Sequence, residues 1–128
     1  MRKPIWIREN VVIAIHERQL VEHGGTEGVR DRAAFESALA RPKNRLAYGD
    51  PKPDIAALAA AYAYGIVSNH PFVDGNKRTA FTVCRTFLKL NGWDIAASQE
   101  EKYLMFLRLA KGEAMEAGLA RWIRDHRE

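Results

Sequence analysis

A chain of 128 residues with 47% apolar and 28% charged side chains has the size and make-up of one soluble globular domain, spanning 1–128. Its single cysteine, Cys84, excludes an intrachain disulfide and fits a reducing cytosol, while no apolar run approaches the length of a leader or a membrane span. The net charge of +4 arises from 20 basic and 16 acidic residues that are interspersed, so charge alone points to a solvated mixed surface, with no direct nucleic-acid or membrane binding expected.

The punctuation along the chain predicts helices. A first helix runs over about 8–23 and stops at Gly24-Gly25. Asp31 caps a second, which is expected to end near Arg41 because Pro42 follows. Residues 43–53 carry turn formers and two prolines and read as an exposed loop or short hairpin flap. Pro53-Asp54 opens a third helix, where Ile55, Leu58, Ala59, Tyr62 and Ile66 form an apolar stripe. It ends near Asn69, since His70 precedes Pro71 and is pushed out of the helical region. A fourth helix over about 76–91 carries Ala80, Phe81, Val83, Cys84, Phe87, Leu88 and Leu90, more than one stripe, and is expected to be the central, buried helix. Ser98-Gln99-Glu100-Glu101 is a capping box for a fifth helix, and Gly112 separates it from a last one bearing Met115, Leu119, Trp122 and Ile123. Strand alternation is scarce, so the expectation is an all-α, six-helix bundle.

The informative segment is His70-Pro71-Phe72-Val73-Asp74-Gly75-Asn76-Lys77-Arg78. Basic residues in a first helical turn conflict with the positive end of the helix dipole, and a bound anion relieves that conflict. Free amides at the helix start, close approach at Gly75, and the charges of Lys77 and Arg78 suit a phosphate. Asp74 is a hard oxygen ligand beside that place and suggests Mg²⁺. His70 lies within one loop and titrates near neutral pH, as a base for an attacking hydroxyl must. Taken singly, each feature has an ordinary structural reading: a histidine cap, an Asp-Gly turn, a solvated basic face, with Phe72 a core anchor in any case. Together they are the parts that phosphoryl or nucleotidyl transfer needs.

These residues resemble the signature of the Fic/Doc family: a histidine, a phenylalanine two places on, an acidic residue, a small residue and an asparagine leading into a basic helix start. Here the matching positions are His70, Phe72, Asp74, Gly75, Asn76 and Arg78. Gly24-Gly25, Arg45-Leu46-Ala47-Tyr48 and Phe87-Leu88-Lys89-Leu90-Asn91-Gly92 look like the Doc branch, as does the length. AMP-transferring Fic enzymes usually have glycine where this chain has Lys77, and a second arginine where it has Phe81. The resemblance therefore implies a Doc-type kinase that moves the γ-phosphate of ATP to a protein hydroxyl. It implies His70 as general base, Asp74 as the Mg²⁺ ligand, and Gly75, Asn76, Lys77 and Arg78 on the nucleotide phosphates. It also implies a threonine of translation elongation factor Tu as target, and a Phd-like antitoxin expected over a groove between 43–53 and 70–78, with Leu46 and Tyr48 as apolar contacts. AMP transfer on the same fold, and a catalytically idle module or corepressor acting with an antitoxin, are the competing readings.

Overall fold

The computed structural model describes residues 3–128; Met1 and Arg2, at the head of the stretch read as too short for a leader, lie outside the described residues. Six helices carry the regular structure among them: α1 (Glu9–His23), α2 (Arg32–Tyr48), α3 (Ile55–Asn69), α4 (Asn76–Leu90), α5 (Gln99–Ala110) and α6 (Glu116–Asp125). The only strand-like pairing among the described residues is in two isolated bridges, Val29 with Phe72 and Ile95 with Arg127. The all-α expectation holds. Local chemistry sets the helix ends. Asp31 accepts from the Ala34 amide at 3.1 Å and Asp54 from that of Ala57 at 2.9 Å, each satisfying an amide that a helix start leaves open. Ser98 and Glu101 close the reciprocal capping box of α5.

The enclosed helix is α3. Its buried positions run almost without interruption from Ile55 to Val67, many of them alanines. Small side chains let neighbours approach closely, and α2, α4 and α6 all pack on α3. The sequence pointed instead to α4 as the central element. That helix does lie between α1, α3 and α5, but it buries one stripe: Thr79, Ala80, Val83, Cys84, Phe87 and Leu88. Phe81 is half-buried and Leu90 is exposed, because the far side of α4 meets solvent and the short α5. Phe87 anchors the stripe against Tyr62, with ring centroids 5.0 Å apart, and against Trp6 at 5.9 Å.

A second expectation fails at Pro42. Helix α2 does not stop at Arg41 but continues through the proline to Tyr48, so 43–48 is helical and the connection shrinks to 49–54. A proline inside a helix costs about 3 kcal/mol or more, because it removes one backbone bond and crowds the carbonyl four residues back. Contacts from the rest of the fold offset that cost. Pro42 is itself buried, Leu46 packs against the core, and Arg41 and Arg45 reach Glu116 at 2.5 and 3.0 Å. Glu116 lies in the first turn of α6, where a carboxylate also complements the helix dipole. The second half of α2 is thus tied to α6 by an acid that is distant in sequence.

Candidate functional site

Helix α3 ends at His70, whose amide donates to the Ile66 carbonyl at 3.1 Å. With φ 46° and ψ 57°, His70 is the one non-glycine residue at positive φ among the described residues. That backbone region is unfavourable for a side-chain-bearing residue and persists only where the surroundings fix it. Arg30 does so. Its Nε donates to the His70 carbonyl at 2.7 Å and its Nη2 to that of Asn69 at 2.9 Å. The same strand of chain is stitched to the next residues: the Arg30 and Asp31 amides donate to the Pro71 carbonyl, and the Val73 amide donates to that of Gly28 at 3.0 Å. The His70 imidazole remains exposed.

Below the loop, Phe72 is 1% exposed. It stacks on the His16 ring of α1 with centroids 3.8 Å apart and meets Phe35 edge-on at 5.6 Å. The His16 Nε2 lies 2.8 Å from the Asp74 carbonyl oxygen, which can only accept, so that nitrogen carries the proton. Asn76 reaches back over the loop. Its Oδ1 accepts from the Phe72 amide at 3.1 Å and its Nδ2 donates to the Phe72 carbonyl at 3.0 Å. The side chain expected on the nucleotide phosphates is therefore engaged in closing the loop, which leaves the Asn76 backbone amide for an anion.

Asp74 is exposed and its carboxylate is oriented, with Oδ1 accepting from the Gly75 amide at 2.9 Å and Oδ2 from that of Thr26 at 3.3 Å. Gly25 permits this approach: a Cβ there would come within 2.9 Å of Asp74 Oδ2. Gly75 caps α4 at φ 75° with no side chain to satisfy the helix amides, so the positive end of α4 is uncapped. His70, Asp74, Gly75, Asn76, Lys77 and Arg78 share one open cavity of about 380 Å³. Phe72 supports it from below. Among the described residues no group of three or more histidine, cysteine or acidic side chains is placed to hold a metal ion by itself. A cation at Asp74 would thus take one protein carboxylate and complete its shell with phosphate oxygens and water, the coordination Mg²⁺ favours.

Three groups that hold this site were not expected from the sequence. His16 shares a helical face with Val12, a spacing that looks like ordinary core. Thr26 contributes only a backbone amide, and Gly24-Gly25 read as a helix stop rather than as a seat for Asp74. Arg30 carries no sequence signal, since its partners are two carbonyls at the end of another helix.

Another cavity, of about 820 Å³, runs along the second half of α2 and the 49–54 loop and reaches Asn69, the neighbour of His70. It is not the groove expected between 43–53 and 70–78, because none of its lining residues belongs to 70–78, and its wall on the first side is helical. Tyr48 is fully presented there, while Leu46 is half-buried against the core. No described helix is long and apolar enough to cross a membrane.

Comparison with known proteins gives the same placement. The sequence model of the Fic/DOC family matches residues 6–88, from Trp6 in the core to the last turn of α4. The chain is 40% identical to "Toxin Doc" of Mycolicibacterium smegmatis over 77 residues, 60% of this chain and 59% of that protein. It is 33% identical to "Protein kinase doc" of Escherichia phage P1 over 89 residues, 70% of each chain. The first match covers less than two thirds of the relative's own length. With the matched region extending over well over half of its length and including the whole loop from His70 to Arg78, this chain belongs to the Fic/DOC family.

Proposed function

We propose that this chain is a Doc-type toxin, a protein kinase that transfers the γ-phosphate of ATP to a threonine hydroxyl of a translation factor, elongation factor Tu by resemblance, and is neutralised by a Phd-like antitoxin. One observation carries the reading: an exposed imidazole, held in a strained backbone conformation by Arg30, shares a cavity with the uncapped start of α4, Lys77, Arg78 and an oriented Asp74. Support also comes from the kinase name of the phage relative.

In this reaction the hydroxyl oxygen forms a bond to the γ-phosphorus as the bond to the β,γ-bridging oxygen breaks, and ADP departs. His70 takes the proton from the hydroxyl. The amides of Asn76, Lys77 and Arg78, with the two basic side chains, meet the charge on the phosphates. Asp74 would hold Mg²⁺, which would supply further neutralisation of that charge. The antitoxin reads as a segment lying in the larger cavity, where Arg41, Arg45, Lys52 and Arg124 favour an acidic chain and Tyr48 offers apolar surface.

The test is mass spectrometry of purified elongation factor Tu after incubation with the chain and ATP. Phosphate transfer adds about 80 Da and AMP transfer about 329 Da, the former being the charge-adding modification. The kinase reading expects the smaller gain, reduced by about 10²–10⁴-fold in a folded His70→Ala variant. The larger gain assigns AMP transfer instead. Growth arrest that survives His70→Ala, with no mass gain, assigns a binding module.

A further inference from the structure

One side chain in the wall of the His70 cavity has no role in the reaction above. Val73 is 50% exposed there and is the only apolar side chain among the described lining residues. Its exposure follows from Gly28. The Val73 amide donates to the Gly28 carbonyl at 3.0 Å, and a Cβ at Gly28 would lie 3.8 Å from Val73 Cγ2. With only hydrogen at that position, residue 28 does not cover the valine. A single exposed valine is ordinary on a protein surface; this one stands in the same cavity as the imidazole.

The backbone beside it is closed. The His70 amide donates to the Ile66 carbonyl, and the His70 carbonyl accepts from Arg30. Pro71 has no amide, and its carbonyl accepts from the Arg30 and Asp31 amides. Both backbone groups of Phe72 are bonded to the Asn76 side chain. Every backbone donor and acceptor from His70 to the Val73 amide is thus engaged, so a segment arriving beside the imidazole finds no run of open groups for strand-type pairing. Recognition at this edge falls to side chains. The polar ones in the cavity are assigned above to the proton, the metal and the phosphates, or close the loop, which leaves Val73 for the acceptor segment.

We infer that Val73 is a specificity-determining contact for the segment that carries the accepting hydroxyl, and that it selects an apolar residue beside that hydroxyl. The inference rests on the phosphotransfer reading above and adds the chemistry of the target to it. An apolar neighbour covers the valine and removes both surfaces from water. A charged or amide-bearing neighbour would be held against methyl groups with no donor or acceptor to meet it.

Steady-state transfer from ATP to purified elongation factor Tu tests it, using Val73→Asn, Val73→Ile and Val29→Asn. Asparagine is neutral and does not repel the nucleotide phosphates. Val29 is the control: it is 38% exposed, lies opposite Phe72 on the same paired stretch, and is outside the cavity wall. A hydrophobic contact of this size is worth on the order of tenfold in discrimination. Val73→Asn should raise KM for the protein substrate by roughly that factor, with kcat and the ATP affinity from calorimetry unchanged. Val73→Ile and Val29→Asn should keep the wild-type KM. Replacing the apolar neighbour of the modified threonine by asparagine should cost the wild-type chain a similar factor, and the two losses should not add. Circular dichroism checks that each variant is folded. A wild-type KM in Val73→Asn, an equal rise in the Val29 and Val73 variants, or a modified threonine without an apolar neighbour overturns the contact and leaves the kinase reading standing. Absence of transfer by the wild-type chain overturns the kinase reading and the contact with it.

Discussion

Replacing Asn76 by alanine removes the two hydrogen bonds that close the loop over Phe72. Each bond contributes about 0.5–1.5 kcal/mol net, and a backbone donor or acceptor left behind in a partly buried place costs more, up to about 1–3 kcal/mol when desolvation is complete. The expected destabilisation of Asn76→Ala is therefore about 2–4 kcal/mol. For a domain of this size each kcal/mol lowers the melting midpoint by roughly 3–5 °C, so a fall on the order of 10 °C is expected. Asn76→Asp separates the two bonds. A carboxylate can still accept from the Phe72 amide but cannot donate to the Phe72 carbonyl, so its melting midpoint should fall between the alanine variant and wild type. The same negative charge would repel nucleotide phosphates, so ATP affinity should fall further in the aspartate than in the alanine variant. Thermal and urea unfolding in nucleotide-free buffer, paired with ATP calorimetry, measure both effects. A wild-type unfolding midpoint for Asn76→Ala would refute the loop-closing role and return the side chain to the phosphates.

The support beneath the loop predicts that His16→Leu, which loses the bond to the Asp74 carbonyl and the stack on Phe72, destabilises the fold by about 2 kcal/mol and lowers phosphotransfer; urea unfolding and activity check it, and His16→Gln should recover part of the stability. At the other end of α3, the Arg124 guanidinium bonds both Asp54 oxygens, at 2.6 and 2.9 Å, and holds that carboxyl below the usual carboxylate range. A carboxyl with its folded value below its unfolded one adds stability above the ordinary range and loses it as pH falls through the folded value. Arg124→Met should therefore raise the midpoint of acid unfolding followed by circular dichroism, by a small amount because both groups are substantially exposed. Burial pushes the Cys84 thiol up to about 12, so it should react with a thiol reagent only as fast as the chain opens; rapid labelling in native buffer would contradict its place in the α4 core stripe.

How far the fold was legible depended on whether local chemistry or distant contact decided each element. The ends of α1, α3 and α5 follow from Gly24, Asp54 and the Ser98–Glu101 box, all local, and were readable. The continuation of α2 through Pro42 depends on Glu116, more than seventy residues away, and no local pattern contains it. The enclosure of α3 was under-read for a related reason. Its alanines have little apolar surface each, so the pattern looks weaker than the phenylalanines and leucines of α4, yet small residues are what allow three helices to pack on one.

The site divides along the same line. The residues that face the cavity all lie between His70 and Arg78, so the segment could be picked out from the order of its side chains. Their posture could not. His70 at positive φ is held by Arg30, Asp74 is aimed by Thr26 and Gly75 amides beside Gly25, and Phe72 is seated on His16. These long-range partners come from α1 and the connection before α2. Side chains that do chemistry need hydroxyls, ammonium groups or imidazoles in a recognisable order, whereas their supports act largely through backbone groups that any residue possesses. An imidazole presented by a strained residue and gripped from a second segment of chain also has a physical consequence. Loosening 24–31 should relax His70 into an ordinary extended conformation and move the imidazole, with every cavity residue still in place. The phosphotransfer proposed for this chain should therefore be sensitive to a connection that contributes no side chain to the cavity.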